Sequence, residues 1–248
     1  MCGQGAMRAP GEREGTDVHP LVFMVDLDNT LLDNDGVKKD IEARMLDILG
    51  TSLSGRFWEL YEVVRKDLEV IDFFDQFRRL RAEFPGESAR IDSAADALAA
   101  WEFAPRMYPQ ALETIRHMKT MGLPIVVSDG DPVFQPTKIW KCGVTQAVDG
   151  RVLIFVHKET YLPAVEAQFR AEHYVLVDDK PGILMRSKAI LGDRLTTVHV
   201  RQGKYAHDAK FAVDYKPDIV VDKISDLLAY DAKRFRDAAR ADKTAVAG

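Results

Sequence analysis

The chain has 248 residues, 46% of them hydrophobic and 29% charged, with a formal net charge of −5. That is enough for one or two globular domains; the acidic balance disfavours a nucleic-acid surface, and the apolar runs are too short to span a bilayer. Only Cys2 and Cys142 occur, which argues against a disulfide framework or zinc cluster and fits a reducing cytoplasm.

Residues 1–20 are rich in Gly, Pro and charge and hold no signal-peptide core, so a disordered segment and no secretion are expected. Met7 can begin the chain as well as Met1. Leu21–Val25 is then a run of five apolar residues, the pattern of a buried parallel strand. It leads straight into Asp26-Leu27-Asp28-Asn29-Thr30. Two carboxylates thus meet at a strand's carboxyl edge, where open α/β sheets bind ligands. A few ångströms apart they repel by roughly 4 kcal/mol at an effective dielectric near 20, so a cation is expected beside them. A calcium-loop reading fails: a strand precedes where a helix is required, Leu31 takes the glycine position and Val37 that of the closing glutamate.

Asp33-Asn34-Asp35-Gly36 reads as a tight turn. From Val37 to Trp101 the period becomes helical. Ile41, Met45, Ile48 and Leu49 share a face that stops at Gly50; Phe57, Leu60, Tyr61, Val64 and Leu68 form a second. Phe73, Phe74, Phe77, Leu80 and Phe84 form a third before Pro85-Gly86, and Ile91, Ala94, Ala95 and Leu98 a weaker fourth. The aromatic positions Phe57, Phe73, Phe74 and Phe77 read as core of this insert, with one or two available to floor a cleft. Arg65, Lys66, Arg78, Arg79 and Arg81 read as a solvated face that can meet an anionic substrate.

A second regime starts near Arg106. A helix with Leu112, Ile115 and Met118 on one face, opened by Pro109, is followed by a strand from Leu123 to Val127. Ser128-Asp129-Gly130 closes that strand, and residues 133–142 read as helix. Arg151–Val156 is a strand running to His157-Lys158, ahead of a helix with Leu162, Val165 and Phe169. His157, at a strand end, reads as structural. Tyr174–Val177 is another apolar run, landing on Asp178-Asp179-Lys180-Pro181, with a helix over 182–191. Strands over 195–200 and 219–221 follow, the first leading to Gln202-Gly203-Lys204, which borders the site or forms a plain loop. A helix from about Ile224 enters a tail, 231–248, helical or frayed. Alternating strands and helices imply βαβ units. The expected architecture is an α/β, doubly wound, Rossmann-like parallel sheet built from 21–36 and 102–230, with an all-α insert of about 65 residues over 37–101.

Three apolar strands end in DLDNT, SDG and DDK, so groups a hundred positions apart converge at one sheet edge. That ordered set resembles the haloacid-dehalogenase superfamily of hydrolases, in its phosphatase branch. Asp26-Leu27-Asp28-Asn29-Thr30 stands where its first motif stands, Ser128 with Asp129-Gly130 at its second, Lys158 at its third and Asp178-Asp179 at its fourth. The helical block falls where that family inserts a cap, and the likeness covers residues 21–230. It implies a small phosphorylated substrate, and it implies that Asp178 binds metal directly while Asp179 acts through water or a neighbour.

The residue chemistry agrees. Asp26 can be the nucleophile that forms an aspartyl-phosphate. Asp28 can shuttle the proton, provided neighbouring charge raises its pKa. Mg2+, a hard ion, suits Asp26, the Asp28 carbonyl and one acid of the 178–179 pair. Ser128, the backbone around Asp129 and Gly130, and Thr30 are candidate phosphoryl contacts, with Lys158 as a point charge. The function expected is magnesium-dependent phosphomonoester hydrolysis, without nucleic-acid or membrane partners and with oligomeric state open. A phosphomutase using the same nucleophile is the nearest alternative. A 2-haloacid dehalogenase is disfavoured because, as that family is understood, Asp28 has no task there. A non-catalytic binding protein would not need the whole set.

Overall fold

The first strand, β1 (Val22–Val25), is buried along its whole length, with Val22 and Met24 on one apolar cluster and Phe23 and Val25 on another. A strand with both faces covered is what a continuous apolar run requires. The structure, a computed structural model, describes residues 18–69 and 71–239. The expected disorder of 1–17 and the tail residues 240–248 lie outside these. Within the segment expected to be disordered, His19 makes backbone contacts: its amide donates to Arg170 O at 2.8 Å and its carbonyl accepts from Glu172 N at 2.9 Å.

After β1 come α1 (Asn34–Leu68), α2 (Phe73–Glu83), α3 (Ser88–Ala99) and α4 (Ala111–Lys119). Then follow β2 (Leu123–Asp129), α5 (Phe134–Lys141), α6 (Val144–Ala147), β3 (Val152–Phe155), α7 (Leu162–Gln168) and β4 (Tyr174–Asp178). The chain ends with α8 (Pro181–Leu191), β5 (Leu195–Val200), β6 (Ile219–Val221) and α9 (Ala232–Ala238). The six strands are all parallel in the order β3-β2-β1-β4-β5-β6. This is the Rossmann-like α/β fold expected. The winding reverses between β1 and β4, where such sheets place their ligand crevice.

One sheet face is covered by α7 and α8 through Leu162, Val165, Leu184 and Leu191. The other carries α4, Phe235 of α9 and, in one continuous cluster, the inner faces of α1, α2 and α3. Leu27, Leu31, Leu32 and Phe103 join the insert's core to that of the sheet. Each such fully buried side chain contributes about 1.5–3 kcal/mol of transfer free energy. Among the described residues no helix is long and apolar enough to cross a membrane.

Several local expectations are corrected. Asp33–Gly36 is not a tight turn: Asp33 accepts from Gly36 N and caps α1, so Asn34, Asp35 and Gly36 form its first turn. Gly50, with φ 71° and ψ 173°, does break the helical path, but the helix resumes beyond it. Phe74 is exposed, because Phe73, Phe77 and Leu80 already fill the inward stripe and Phe74 lies one position round the helix. The helix expected from Ile224 is a 3-10 turn over Ile224–Ala229 that ends before α9.

Candidate active site

Strand register assembles the acids. Val25 is level with Val126 of β2 and Val177 of β4, so the next residue, Asp26, stands level with Val127 and Asp178. Asp26 N donates to Val177 O at 3.0 Å, which continues the ladder into the site. Beyond it the chain folds over Leu27 O, which accepts from the amides of Thr30, Leu31 and Leu32. Asn29 takes a left-handed conformation, φ 59°, that Asn tolerates better than most residues. This tight hook turns Asp28 back towards the cleft.

Asp26, Asp178 and Asp179 are all buried, and one carboxylate oxygen from each lies within 4.8 Å of the others. Lys158, at the start of a 3-10 turn after β3, enters from the side and is 2% exposed. Its Nζ donates to Asp26 Oδ1 at 2.5 Å and to Val127 O at 3.2 Å. The same ammonium is 2.6 Å from Asp178 Oδ2, a buried ion pair. Asp178 Oδ1 accepts from Lys180 N at 2.8 Å. Asp26 Oδ2 and both oxygens of Asp179 have no protein partner.

Buried carboxylates left without donors are costly unless a cation completes the site. Burial pushes both Asp178 and Asp179 above the ordinary carboxylate value; the charges of Asp178 and Asp26 add to the rise at Asp179, whereas Lys158 opposes it at Asp178. Lys158 shows the opposite balance: burial works against its charge, but Asp178, Asp26 and Asp129 together raise its pKa. Lys180 follows the same logic, with Asp26 and Asp178 outweighing burial. The donor set, hard oxygens around buried and partly unpartnered acids, fits a metal ion.

Ser128, at the end of β2, donates to Asp26 Oδ1 at 3.3 Å and accepts from Gln135 Nε2 at 3.0 Å. Asp129 Oδ1 accepts from Lys158 N at 2.7 Å, and burial raises its carboxyl pKa. The Gly130 amide is committed to Phe155 O at 3.0 Å, so it is not a free donor towards the cleft. Thr30 is fully buried with its hydroxyl unpartnered and does not line the cavity.

Asp28 has neighbours that the sequence did not announce. Lys138 of α5, nearly buried, donates to Asp28 Oδ1 at 2.6 Å and Oδ2 at 2.8 Å, and to Asn34 Oδ1 at 3.2 Å. Gln135 Nε2 reaches Asp28 Oδ2 at 3.2 Å. The charged side chain in contact with Asp28 is thus the Lys138 ammonium. Lys138 and Gln135 sit three apart on one helix face, a spacing that was readable, although nothing local pointed that face at Asp28.

A cavity of about 260 Å3 opens above these groups. Its sheet side is formed by Asp28, Asp129, Gly130, Gln135, Lys138 and Lys180, and its insert side includes Lys38, Trp58, Tyr61, Arg65 and Phe73. Of the candidates Phe57, Phe73, Phe74 and Phe77, Phe73 alone lines it. Among the basic candidates Arg65 lines it, while Arg78 and Arg79 are paired with Asp75, Arg79 also with Asp67, and Arg81 with Asp92. Lys204 borders the cavity, Gly203 packs behind Asn29, and Gln202 accepts from Ile224 N at 2.5 Å. Exposed His157 meets Glu69, the residue just after α1, at 3.2 Å.

No protein-family model and no curated protein matches the chain. Among solved structures, a haloacid dehalogenase-like hydrolase from Burkholderia xenovorans LB400 is 44% identical, with a TM-score of 0.80 over 87% of this chain and 98% of that one. An L-2-haloacid dehalogenase from Xanthobacter autotrophicus (18% identity, TM-score 0.53, 84% and 96% coverage) shares the fold. So does a magnesium-bound HAD hydrolase of Bacillus subtilis (14%, 0.53, 85% and 97%). With the Burkholderia protein matched over nearly its whole length, the chain belongs to the haloacid dehalogenase-like hydrolases.

Proposed function

We propose that the protein is a magnesium-dependent phosphomonoesterase acting on a small phosphorylated metabolite through an aspartyl-phosphate at Asp26. The observation that carries this reading is the set of three buried carboxylates with three oxygens unpartnered, on Asp26 and Asp179. Even with Lys158 and Lys180 beside them, the three carboxylates keep an excess of negative charge. Asp26, Asp179 and Asp178 would hold the ion, with Asp179 having the larger claim because both its oxygens are free. Bound there, magnesium would offset the carboxylate repulsion and the charge of the phosphoryl group. The magnesium-bound Bacillus subtilis neighbour supports the choice of ion.

The steps belong to the protein's own groups. The Asp26 carboxylate attacks phosphorus, the phosphorus–oxygen bond to the leaving group breaks, and an acyl phosphate forms. Asp28 gives a proton to the departing oxygen, then takes one from the water that hydrolyses the acyl phosphate. Lys138 holds Asp28 in place and stabilises the carboxylate left behind. Ser128 and Lys158 fix Asp26 Oδ1 and so the direction of attack. The helical insert over 37–101 acts as the cap, its Trp58, Tyr61 and Phe73 limiting water and substrate size.

The test is release of phosphate from p-nitrophenyl phosphate with added magnesium. Wild type should turn over and lose activity with chelator, and Asp26→Asn should abolish turnover. Undiminished activity in Asp26→Asn would overturn the assignment. Because a neighbour is a 2-haloacid dehalogenase, halide release from 2-chloropropionate is the counter-assay. Magnesium-independent halide release would replace the phosphatase reading.

A further inference from the structure

The charges around the cavity are nearly all spoken for. Lys138 is bound to Asp28, Lys204 lies 3.6 Å from Asp35, and Glu69 is 3.2 Å from His157. Asp129 accepts from Lys158 N, and Asp131 accepts from the amides of Val133 and Phe134. Lys180 faces the acids of the sheet, beside the place where a phosphoryl group would sit. Lys38 is different.

Lys38 lies in the second turn of α1, on the insert wall of the cavity. Its Nζ sits 4.6 Å from the ring centre of Tyr61 and 5.5 Å from that of Trp58. Among the described residues it has no carboxylate within ion-pair distance. A ring face holds an ammonium in position without cancelling its charge, whereas a carboxylate does both. Lys38 is therefore held in place by rings and not by a carboxylate. Beside it, burial pushes the Tyr61 phenol up to about 12, so at neutral pH it remains a hydrogen-bond donor. Arg65 follows one turn further along the helix and lines the same cavity; among the described residues its ion pair is an exposed one with Glu62 at 3.6 Å. A cation, a phenol donor and a guanidinium thus share one wall, facing the sheet-side groups across 260 Å3.

We propose that Lys38, with Tyr61 and Arg65, forms a seat for a second anionic group, so that the preferred substrates are small phosphomonoesters that also carry a carboxylate or a second phosphate. This rests on the phosphomonoesterase reading. The phosphoryl end is bound by the sheet, and the other anion is read by the insert. A neutral alkyl phosphate leaves Lys38 unanswered, and its binding lacks that charge-assisted contact.

The experiment compares ethyl phosphate with 2-phosphoglycolate and with ethylene glycol bisphosphate, in magnesium. At least one of the two doubly anionic esters should exceed ethyl phosphate in kcat/KM by about 10-fold or more, the worth of one charge-assisted hydrogen bond. Which of the two gains identifies the anion. Lys38→Met should bring that ratio down towards one, Lys38→Arg should keep most of it, and Lys39→Met, on the exposed side of the same helix, should not change it. Calorimetric binding of phosphonoacetate against ethylphosphonate gives the same comparison without turnover. Equal kcat/KM values together with equal binding would overturn the proposal, as would a ratio unmoved by Lys38→Met. If no phosphate ester is hydrolysed, the phosphomonoesterase reading fails. A Lys38-dependent preference for phosphonoacetate would then still uphold the seat, and its absence would sink it.

Discussion

Lys138 takes both oxygens of Asp28 while Gln135 spans Asp28 and Ser128, so the two aspartates of the first motif sit in different settings only two residues apart. Asp26 is tied to Lys158 among buried acids; Asp28 is tied to a helix that follows β2. Removing Lys138 leaves Asp28 free to change rotamer without removing it. Lys138→Met is therefore expected to forfeit part of the roughly 10²–10⁴-fold that acid–base catalysis contributes, in kcat rather than KM. The loss should be large for alkyl phosphates, whose leaving oxygen needs a proton, and small for p-nitrophenyl phosphate. An equal loss on both, in a folded variant, would reduce Lys138 to a structural role. Asp26, Asp28, Ser128, Lys158, Asp178 and Asp179 were legible because each closes or follows an apolar run that betrays itself locally. Lys138 and Asn34 were not, since a lysine on an amphipathic helix reads as solvated until the packing of α5 shows where it points.

At the scale of elements, periodicity located the strands and the insert helices because apolar stripes are local properties. What periodicity missed was set by capping and by competition for one inward stripe, as at Asp33 and Phe74. α1 offers a direct test of its own geometry. Gly50 and Gly55 both have open space where a Cβ would be placed, so neither substitution creates a clash. Gly50, however, sits at φ 71° and ψ 173°, a region that only glycine occupies without strain. Gly50→Ala should destabilise the protein by about 1–3 kcal/mol. Gly55→Ala, inside the helix, should stabilise it by about 0.5–1 kcal/mol. Urea unfolding of the two variants reads the sign directly. Two shifts of the same sign would mean that the chain does not break its helical path at Gly50.

For the whole molecule, the acid cluster couples stability to pH and to metal. Asp178 and Asp179 have folded-state values above the ordinary 3.8, chiefly through burial. The folded form therefore binds more protons than the unfolded form once pH exceeds about 3.8, and unfolding releases them. Stability from this source is fully present below the unfolded value and is lost as pH rises through the raised folded values. A divalent ion acts in the opposite sense: it requires these carboxylates deprotonated, and so binds more tightly as pH rises. At 100 times its dissociation constant it adds about 2.7 kcal/mol to the folded state. The gap in Tm between magnesium and chelator should accordingly be small at pH 5 and widen towards pH 8. Asp179→Asn should flatten both limbs, since it removes the buried charge together with its claim on the ion. A gap that is independent of pH, or unaffected by Asp179→Asn, would place any bound magnesium somewhere other than between β1 and β4.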